Sequence, residues 1–118
     1  MTNKKARFLL SAEVPVEDLG GGIRRQILGH GDTLMAVRVW FETEAVGALH
    51  SHPHAQVSYV ESGEFEFSVG GEKRVVKAGD CVYAEPGIEH GAVCKSKGVL
   101  LDVFSPMRED FLPEEQGA

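Results

Sequence analysis

Histidine is the residue type in this chain whose spacing most directly suggests chemistry. Three of the five histidines lie in the segment 50–54, which reads His-Ser-His-Pro-His. Side chains two positions apart point to the same face of an extended segment, so His50 and His52 can converge on one point. Gln56 shares their parity, although Pro53 weakens the simple alternation of a strand. The segment therefore predicts part of a metal site with nitrogen and oxygen ligands.

A further histidine, His90, follows Pro86 and Gly87, whose tight turn would direct its side chain back toward a sheet. Three imidazoles and one amide oxygen suit a single divalent ion such as Zn, Ni, Fe, Mn or Co, and do not distinguish among these metals. All four ligands are uncharged, so the ion would keep its full charge and attract a carboxylate. His54 is expected to support the ligands or to be exposed, and His30 is expected in a solvent-facing turn.

The elements that must position these residues are short β-type runs separated by glycine-centred turns. Turns that recur every eight to twelve residues between such runs indicate a β-sandwich or a closed barrel. Only 108–112 has the character of a helical turn. We predict an all-β fold in one domain, 1–118, with a core over about 16–112, a short N-terminal arm and a C-terminal tail. The predicted strands are 24–29, 33–41, 56–61, 64–69, 72–77, 81–84, 91–96 and 99–104.

Composition excludes several classes of partner. Twelve Lys and Arg against 18 Asp and Glu give the chain of 118 residues a formal charge of -6. Nucleic acids and anionic membranes both reward clustered positive charge, so neither is expected as a partner. No stretch is long enough to cross a bilayer, and no secretory signal is visible at the start. Cys81 and Cys94 lack a Cys-x-x-Cys spacing, so we predict a cytoplasmic protein with two reduced thiols.

Two segments together resemble the cupin motifs. The segment 47–56, which reads GALHSHPHAQ and continues to Gly63, is similar to the first motif: a His-x-His pair, an acidic or amide ligand, and a glycine turn. Gly79-Asp80 and then 86–90, which reads PGIEH, resemble the second motif. The resemblance implies a cupin double-stranded β-helix, or jelly-roll barrel, with the four ligands named above around one divalent metal ion. Gln56 replaces the commoner Glu, which indicates a subgroup.

A narrower resemblance, from about Val16 to Leu112, is to the KdgF family of pectin and alginate degradation. It depends on 50–54, on 63–67 and above all on 101–112, which reads LDVFSPMREDFL. The resemblance implies conversion of 4,5-unsaturated monouronates, which are small anionic sugars, into linear ketonised sugars. It also implies catalytic or substrate-contacting roles for Asp102, Phe104 and Arg108.

The chemistry of these three residues fits such roles, although simpler roles stay open. Asp102 stands in an apolar run where burial without a partner is costly, so it is a candidate for proton transfer. Arg108 can bind a uronate carboxylate through two hydrogen bonds, and Phe104 would stack on the sugar. In the alternative, Asp102 forms a hydrogen bond with a turn at the end of its strand, and Phe104 is a core residue. Arg108 then forms a surface ion pair within the segment 108–110, worth under about 1 kcal/mol.

Two other functions are compatible with the same ligands. A cupin dioxygenase would use them with a redox metal, and a non-catalytic sugar- or metal-binding cupin would need no proton transfer. A homodimer is expected because small barrels often protect their edge strands by pairing. The segment 8–16 is the strand most expected to contribute to that interface.

Overall fold

The structure is a computed structural model that describes residues 6–112. It confirms the all-β prediction, with one 3-10 helix (Glu109–Phe111) within the predicted helical turn. The predicted C-terminal tail beyond Leu112 and the first five residues of the arm lie outside the described residues. The strands are β1 (Glu17–Gly20), β2 (Ile23–Gly31), β3 (Leu34–Phe41), β4 (Val46–His50), β5 (Ala55–Val69), β6 (Glu72–Lys77), β7 (Cys81–Ala84) and β8 (His90–Ser105).

Two long strands, β5 and β8, organise the sheet. They have 15 and 16 residues, and they pair with each other along most of their length. The strand order is β1-β2-β3-β8-β5-β6, with β4 also pairing with β8 and β7 with β5, all antiparallel. Each long strand therefore changes neighbours midway: β5 passes from β7 to β6, and β8 passes from β4 to β3. This exchange lets one sheet fold over a common core.

The turns predicted at Ser62-Gly63 and Lys97-Gly98 are wrong, because both positions lie inside continuous strands. The register of β5 against β8 shifts between Val60 and Phe65, as in a β-bulge, which bends a strand without ending it. Gly63 has a φ of 83°, and a Cβ atom there would lie 2.6 Å from the Ser96 carbonyl oxygen. The glycines permit a close crossing of the two strands, which local sequence cannot distinguish from a turn.

The inner face of β3, β8 and β5 consists of cross-strand rows set by the register. One row holds Met35, Phe104 and Gln56, and the next holds Val37, Asp102 and Ser58. Met35, Val37 and Phe104 form one buried apolar cluster. A larger cluster lies deeper in the fold and comprises Phe41, Ala45, Val60, Phe65, Phe67, Ala92, Cys94 and Leu100. Gln56, Asp102 and Ser58, the polar residues of the first two rows, therefore lie next to buried apolar side chains.

The segment 8–16 contains no strand, which corrects the expectation for the arm. It forms an irregular segment with a turn, in which the Glu13 amide donates to the Leu10 carbonyl at 2.8 Å. Gln26, only 2 % exposed, donates through Nε2 to the carbonyls of Ser11 and Val14 at 2.7 and 3.0 Å. The arm therefore lies against β2 through side-chain contacts, because Gln26 reaches its backbone.

Both cysteines lie in strands and neither forms a disulfide: Cys81 is exposed and Cys94 is buried. The prediction that His30 lies in a turn is wrong, since it belongs to β2 and is half-buried. Within residues 6–112, no helix is long and apolar enough to span a membrane.

Candidate metal centre

The pairing of β4 with β8 brings the first two histidines together. His50 lies opposite His90 in the register, after an irregularity that follows Gly47. A Cβ atom at Gly91 would lie 2.8 Å from the Gly47 carbonyl oxygen and 3.0 Å from the Leu49 nitrogen, so glycine is needed for this close approach. The imidazole rings of His50 and His90 lie 4.5 Å apart between centroids.

Three histidines share one hydrogen-bond pattern that sets their tautomer. The Nδ1 atoms of His50 and His90 lie 2.8 Å from the carbonyls of Ala48 and Ile88, and Nδ1 of His52 lies 3.1 Å from the carbonyl of His54. A carbonyl can only accept, so each Nδ1 carries the proton and each Nε2 presents a lone pair. Potential ligand atoms of the three residues lie within 4.8 Å of one another. The three histidines are thus positioned to bind a metal ion.

Gln56 lies beside the same point and is 7 % exposed. Its Nε2 donates to the Ser58 hydroxyl at 2.9 Å, which turns the amide oxygen toward the imidazoles. That oxygen lies 2.9 Å from Nε2 of His52 and 3.0 Å from Nε2 of His90. Two ligands bound at about 2.1 Å and at right angles would be about 3 Å apart, so these distances fit adjacent positions around one ion. Lone pairs that face one another are stabilised by a cation between them, so the donor set fits a divalent metal.

The environment also keeps two imidazoles in the form that binds metal. Burial lowers the pKa of His52 and of His90 below the ordinary value, although hydrogen bonds that the protonated rings would donate to Gln56 Oε1 and to the Ile88 carbonyl act in the opposite direction. The charge of Arg108 lowers both pKa values further. Neutral imidazole is the metal-binding form, so neither residue needs to lose a proton near neutral pH.

Asp102 lies one row below Gln56 and Phe104, between Val37 and Ser58. Its Oδ1 atom is buried and has no hydrogen-bond partner among the described residues. Burial raises the pKa of Asp102 to about 6, and the Ser58 hydroxyl and the Arg108 charge only partly offset this effect. A buried carboxyl that titrates near neutral pH can both accept and donate a proton.

Arg108 is buried, with 9 % exposure, next to two aromatic rings. Its guanidinium carbon lies 5.2 Å from the ring centroid of Phe104 and 4.2 Å from that of Phe111. Asp110 accepts two hydrogen bonds from it, from Nε at 3.0 Å and from Nη2 at 2.8 Å. The Phe104 ring lies 5.8 Å from the His52 ring, so it neighbours one of the imidazoles as well as Arg108.

Three residues of this region were not predicted from the sequence: Ser58, Asp110 and Phe111. Ser58 was detectable, because it follows Gln56 by two positions and shares its face of the strand. Asp110 was foreseen only as an acidic neighbour of Arg108 in a surface ion pair, and the two do pair. Phe111 had no such signal, since its contacts depend on the shape of the short helical turn. His54 is half-buried and supports His52 through its backbone carbonyl, while its own Nδ1 is buried without a partner among residues 6–112.

Comparison with known proteins agrees with this fold. The cupin domain family matches residues 37–104, and a cupin from Shewanella frigidimarina NCIMB 400, described as RmlC-like, superposes with a TM-score of 0.88 at 47% identity, over 92% of this chain and 97% of that one. The protein is therefore a cupin, with the jelly-roll barrel expected of that class.

Two further relatives narrow the class. The pectin degradation protein KdgF of Dickeya dadantii (strain 3937) is 45% identical over 108 residues, which cover 90% of this chain and 98% of that protein. The structure of KdgF from Halomonas sp. superposes with a TM-score of 0.88 at 40% identity, over 92% of this chain and 100% of that one. Within the cupins, this chain belongs to the KdgF family.

Proposed function

We propose that this protein is an enzyme that converts 4,5-unsaturated monouronates into linear ketonised sugars in a metal-dependent reaction. One observation carries the proposal: three imidazoles with protonated Nδ1 atoms converge beside Gln56, whose strand neighbours include Asp102 with a buried Oδ1 atom and whose surroundings include a buried cation, Arg108. The name of the Dickeya dadantii relative, a pectin degradation protein, supports a uronate as the substrate. A saturated sugar without a carboxylate would use neither Asp102 nor Arg108.

His50, His52, Gln56 and His90 are the residues that would hold the ion. A divalent cation in this donor set would supply a Lewis acid for an oxygen of the substrate. Nitrogen and oxygen ligands of this kind accept Zn, Ni, Fe, Mn or Co, so the residues do not select one metal. Because Gln56 is neutral, the ligands leave the positive charge of the centre undiminished, which favours an anionic sugar.

Asp102 would move the proton. Opening the ring removes a proton from the anomeric hydroxyl, and ketonisation adds one to the ring carbon of the double bond, so the reaction is a net isomerisation. A carboxyl with a pKa of about 6 can take up the first proton and deliver the second near neutral pH. The Ser58 hydroxyl next to it, which accepts from Gln56, keeps the carboxyl on the inner face.

Arg108 and Phe104 would orient the sugar. Arg108 can pair with the uronate carboxylate, and its burial strengthens such a pair relative to one in water. Phe104 is 2 % exposed and lies next to Arg108 and His52, so its packed ring would act by holding these two side chains in place. A bound divalent cation and Arg108 together would supply the local positive charge that an anionic substrate requires in a protein with a formal charge of -6, because Asp110 offsets part of the charge of Arg108.

The test is a turnover assay with an unsaturated monouronate. Purified protein should accelerate the loss of absorbance of the conjugated double bond above the spontaneous rate. A chelator should abolish the acceleration and added metal should restore it. Asp102→Ala should keep its metal and lose turnover by about 100-fold or more, the usual contribution of a general acid or base.

Each rival function gives a different result in this assay. A dioxygenase loaded with iron would consume oxygen in the presence of its substrate, whereas the proposed isomerisation consumes none. A non-catalytic sugar-binding cupin would show no acceleration, and Asp102→Ala would leave its ligand affinity intact. Wild-type protein that binds metal and leaves the spontaneous rate unchanged would refute the enzymatic function.

We also propose a cytoplasmic location and a homodimer. The two unpaired cysteines, one of them exposed, support a reducing compartment. The dimer is supported by apolar side chains exposed on the arm and on the edge strand β1, including Phe8 at 93% and Leu19 at 49%. Burial of such residues against a second copy would remove them from water.

A further inference from the structure

The side chain of Arg108 is held by one carboxylate, Asp110, and by two aromatic rings. A guanidinium group has five N–H donors and can bind a carboxylate through two hydrogen bonds at either of two edges, Nε–Nη2 or Nη1–Nη2. Asp110 already occupies the Nε–Nη2 edge, at 3.0 and 2.8 Å. The Nη1–Nη2 edge is therefore the one edge at which a second carboxylate can make the same paired contact.

The aromatic rings hold the guanidinium group against rotation. Phe104 and Phe111 contact each other edge to face, with centroids 5.5 Å apart and planes at 86°, and Arg108 lies in the corner between them. On its other side, Phe111 contacts Arg25, whose guanidinium carbon is 4.2 Å from the ring centroid. Arg25 is in turn paired with Glu17 at 2.8 Å. The Phe111 ring is thus fixed between two cations that attract its face.

The short helical turn that carries Asp110 and Phe111 is itself ordered. The Phe111 amide donates to the Arg108 carbonyl at 3.0 Å, and the Leu112 amide donates to the Glu109 carbonyl at 3.1 Å. Asp110 has a side chain 60% exposed, while that of Arg108 is 11% exposed, so water can reach the acidic partner more readily than the basic one. Asp110 also compensates the charge of a group that is costly to bury unpaired.

We propose that Asp110 and Phe111 are positioning residues that leave only the Nη1–Nη2 edge of Arg108 free for the substrate carboxylate. This inference rests on the proposed function, because it assigns Arg108 to a uronate. Positioning before binding avoids the entropic cost of ordering the long arginine side chain when the sugar arrives. The opposite arrangement, in which the substrate carboxylate displaces Asp110, would make Asp110 a competitor of the substrate.

The sign of the change in KM separates these two arrangements. In the metal-loaded protein, Asp110→Asn should raise KM for the unsaturated monouronate about tenfold while kcat changes less than about threefold, since an oriented charge-assisted pair is lost from binding. Asp110→Glu should recover part of the affinity, and Phe111→Leu should also raise KM. Glu109→Gln is the matched control, because it removes the same charge one residue earlier, and its KM should stay within about twofold of wild type.

An Asp110→Asn variant with an unchanged or lower KM overturns the proposal, and a lower value identifies Asp110 as a competitor of the substrate.

If wild-type protein does not turn over the unsaturated sugar, the proposed function fails. Calorimetry with D-galacturonate, a saturated uronate, then still tests whether Asp110 and Phe111 position Arg108. Asp110→Asn and Phe111→Leu should then weaken its binding by a similar factor relative to Glu109→Gln. Equal affinity in all four proteins, or none in wild type, also overturns the proposal. Thermal melting identifies a variant that fails to fold, and the remaining variants then decide.

Discussion

At the scale of single residues, hydrogen bonds to the backbone decide what the side chains can do. Three imidazoles present Nε2 because carbonyls accept from their Nδ1 atoms, and Gln56 presents oxygen because its amide nitrogen donates to Ser58. Asp102 differs from them, because its Oδ1 lacks a partner among the described residues and its pKa is raised to about 6. The carboxyl best suited to proton transfer is therefore also one that costs stability when it ionises.

Asp102→Asn should change how stability depends on pH in metal-free protein. The pKa of Asp102 is about 6 in the fold and 3.8 as the ordinary value, so the folded state holds this proton more tightly. The resulting contribution to stability is complete below the lower value and is lost as pH rises through about 6. Between pH 4 and pH 7, the unfolding free energy of Asp102→Asn should gain up to about 3 kcal/mol relative to wild type.

Urea denaturation in the presence of a chelator, at several pH values across that range, measures this difference. Asp32→Asn serves as the control, because Asp32 is an exposed turn residue. The plot of unfolding free energy against pH for this variant should run parallel to that of wild type. Parallel curves for Asp102→Asn as well would mean that the carboxyl is ionised at no cost in the fold.

At the scale of elements, two glycines on β5 and β8 allow the barrel to close. Each strand must pass from one set of neighbours to another at Gly63 and Gly98, where the backbones come closer than any side chain would permit. Beyond this crossing, one end of β8 carries His90 and the other carries Asp102 and Phe104. Both ends of β8 reach Gln56: His90 lies 3.0 Å from its amide oxygen, and Phe104 lies opposite it in the register. This is possible only because β5 and β8 bend together at the crossing.

Gly98→Ala should therefore destabilise the fold strongly. A Cβ atom there would lie 2.8 Å from Gly63 Cα and 2.9 Å from the Ser62 carbonyl carbon, both backbone atoms that cannot move aside. We expect a loss of about 2–4 kcal/mol in unfolding free energy, as for other overpacked sites in which the backbone must shift. Chemical denaturation measures it.

Gly29→Ala is the matched control for this prediction. Apart from its two neighbours in the chain, no residue of 6–112 has an atom within 4 Å of the position that a Cβ atom would take at Gly29, so the same substitution should be neutral or stabilising by under about 1 kcal/mol. Equal effects of the two substitutions would contradict a steric role for Gly98.

At the scale of the whole molecule, several of the exposed apolar residues lie on the arm and on β1. Among residues 6–112, the strand β1 pairs only with β2, so no described strand covers its other edge. Val16 is 47% exposed and Leu19 is 49% exposed at this edge, and Phe8 and Leu10 on the arm are 93% and 54% exposed. A free edge with apolar side chains is a surface on which a second copy can add.

Leu19→Glu should shift the protein from dimer to monomer. Sedimentation should give twice the chain mass of 12.8 kDa for wild type and a single chain mass for the variant, because an uncompensated charge opposes apolar burial. Val75→Glu, at a similarly exposed residue of β6 at the other end of the strand order, should leave the dimer intact. A monomeric wild type would contradict the predicted homodimer.

Sequence alone determined the class of fold and the types of ligand available. Turn residues and alternating strands are local signals, so the all-β architecture followed from them. The two histidine segments carried the resemblance to the cupins, and the segment 101–112 carried most of the resemblance to the KdgF family. Most strands were identified within a few residues. The short strands β1 and β4 were missed, because four or five residues with little burial carry a weak pattern.

Only the tertiary structure decided which of these residues meet and in what state. The carbonyls that set the imidazole tautomers, the burial that raises the pKa of Asp102 and the pairing of Arg108 with Asp110 all depend on the folded backbone. The same holds for Gly63 and Gly98, which have the local chemistry of turns and act as bulges. Local sequence specifies what a residue can do, whereas distances between strands depend on long-range pairing that no short segment encodes.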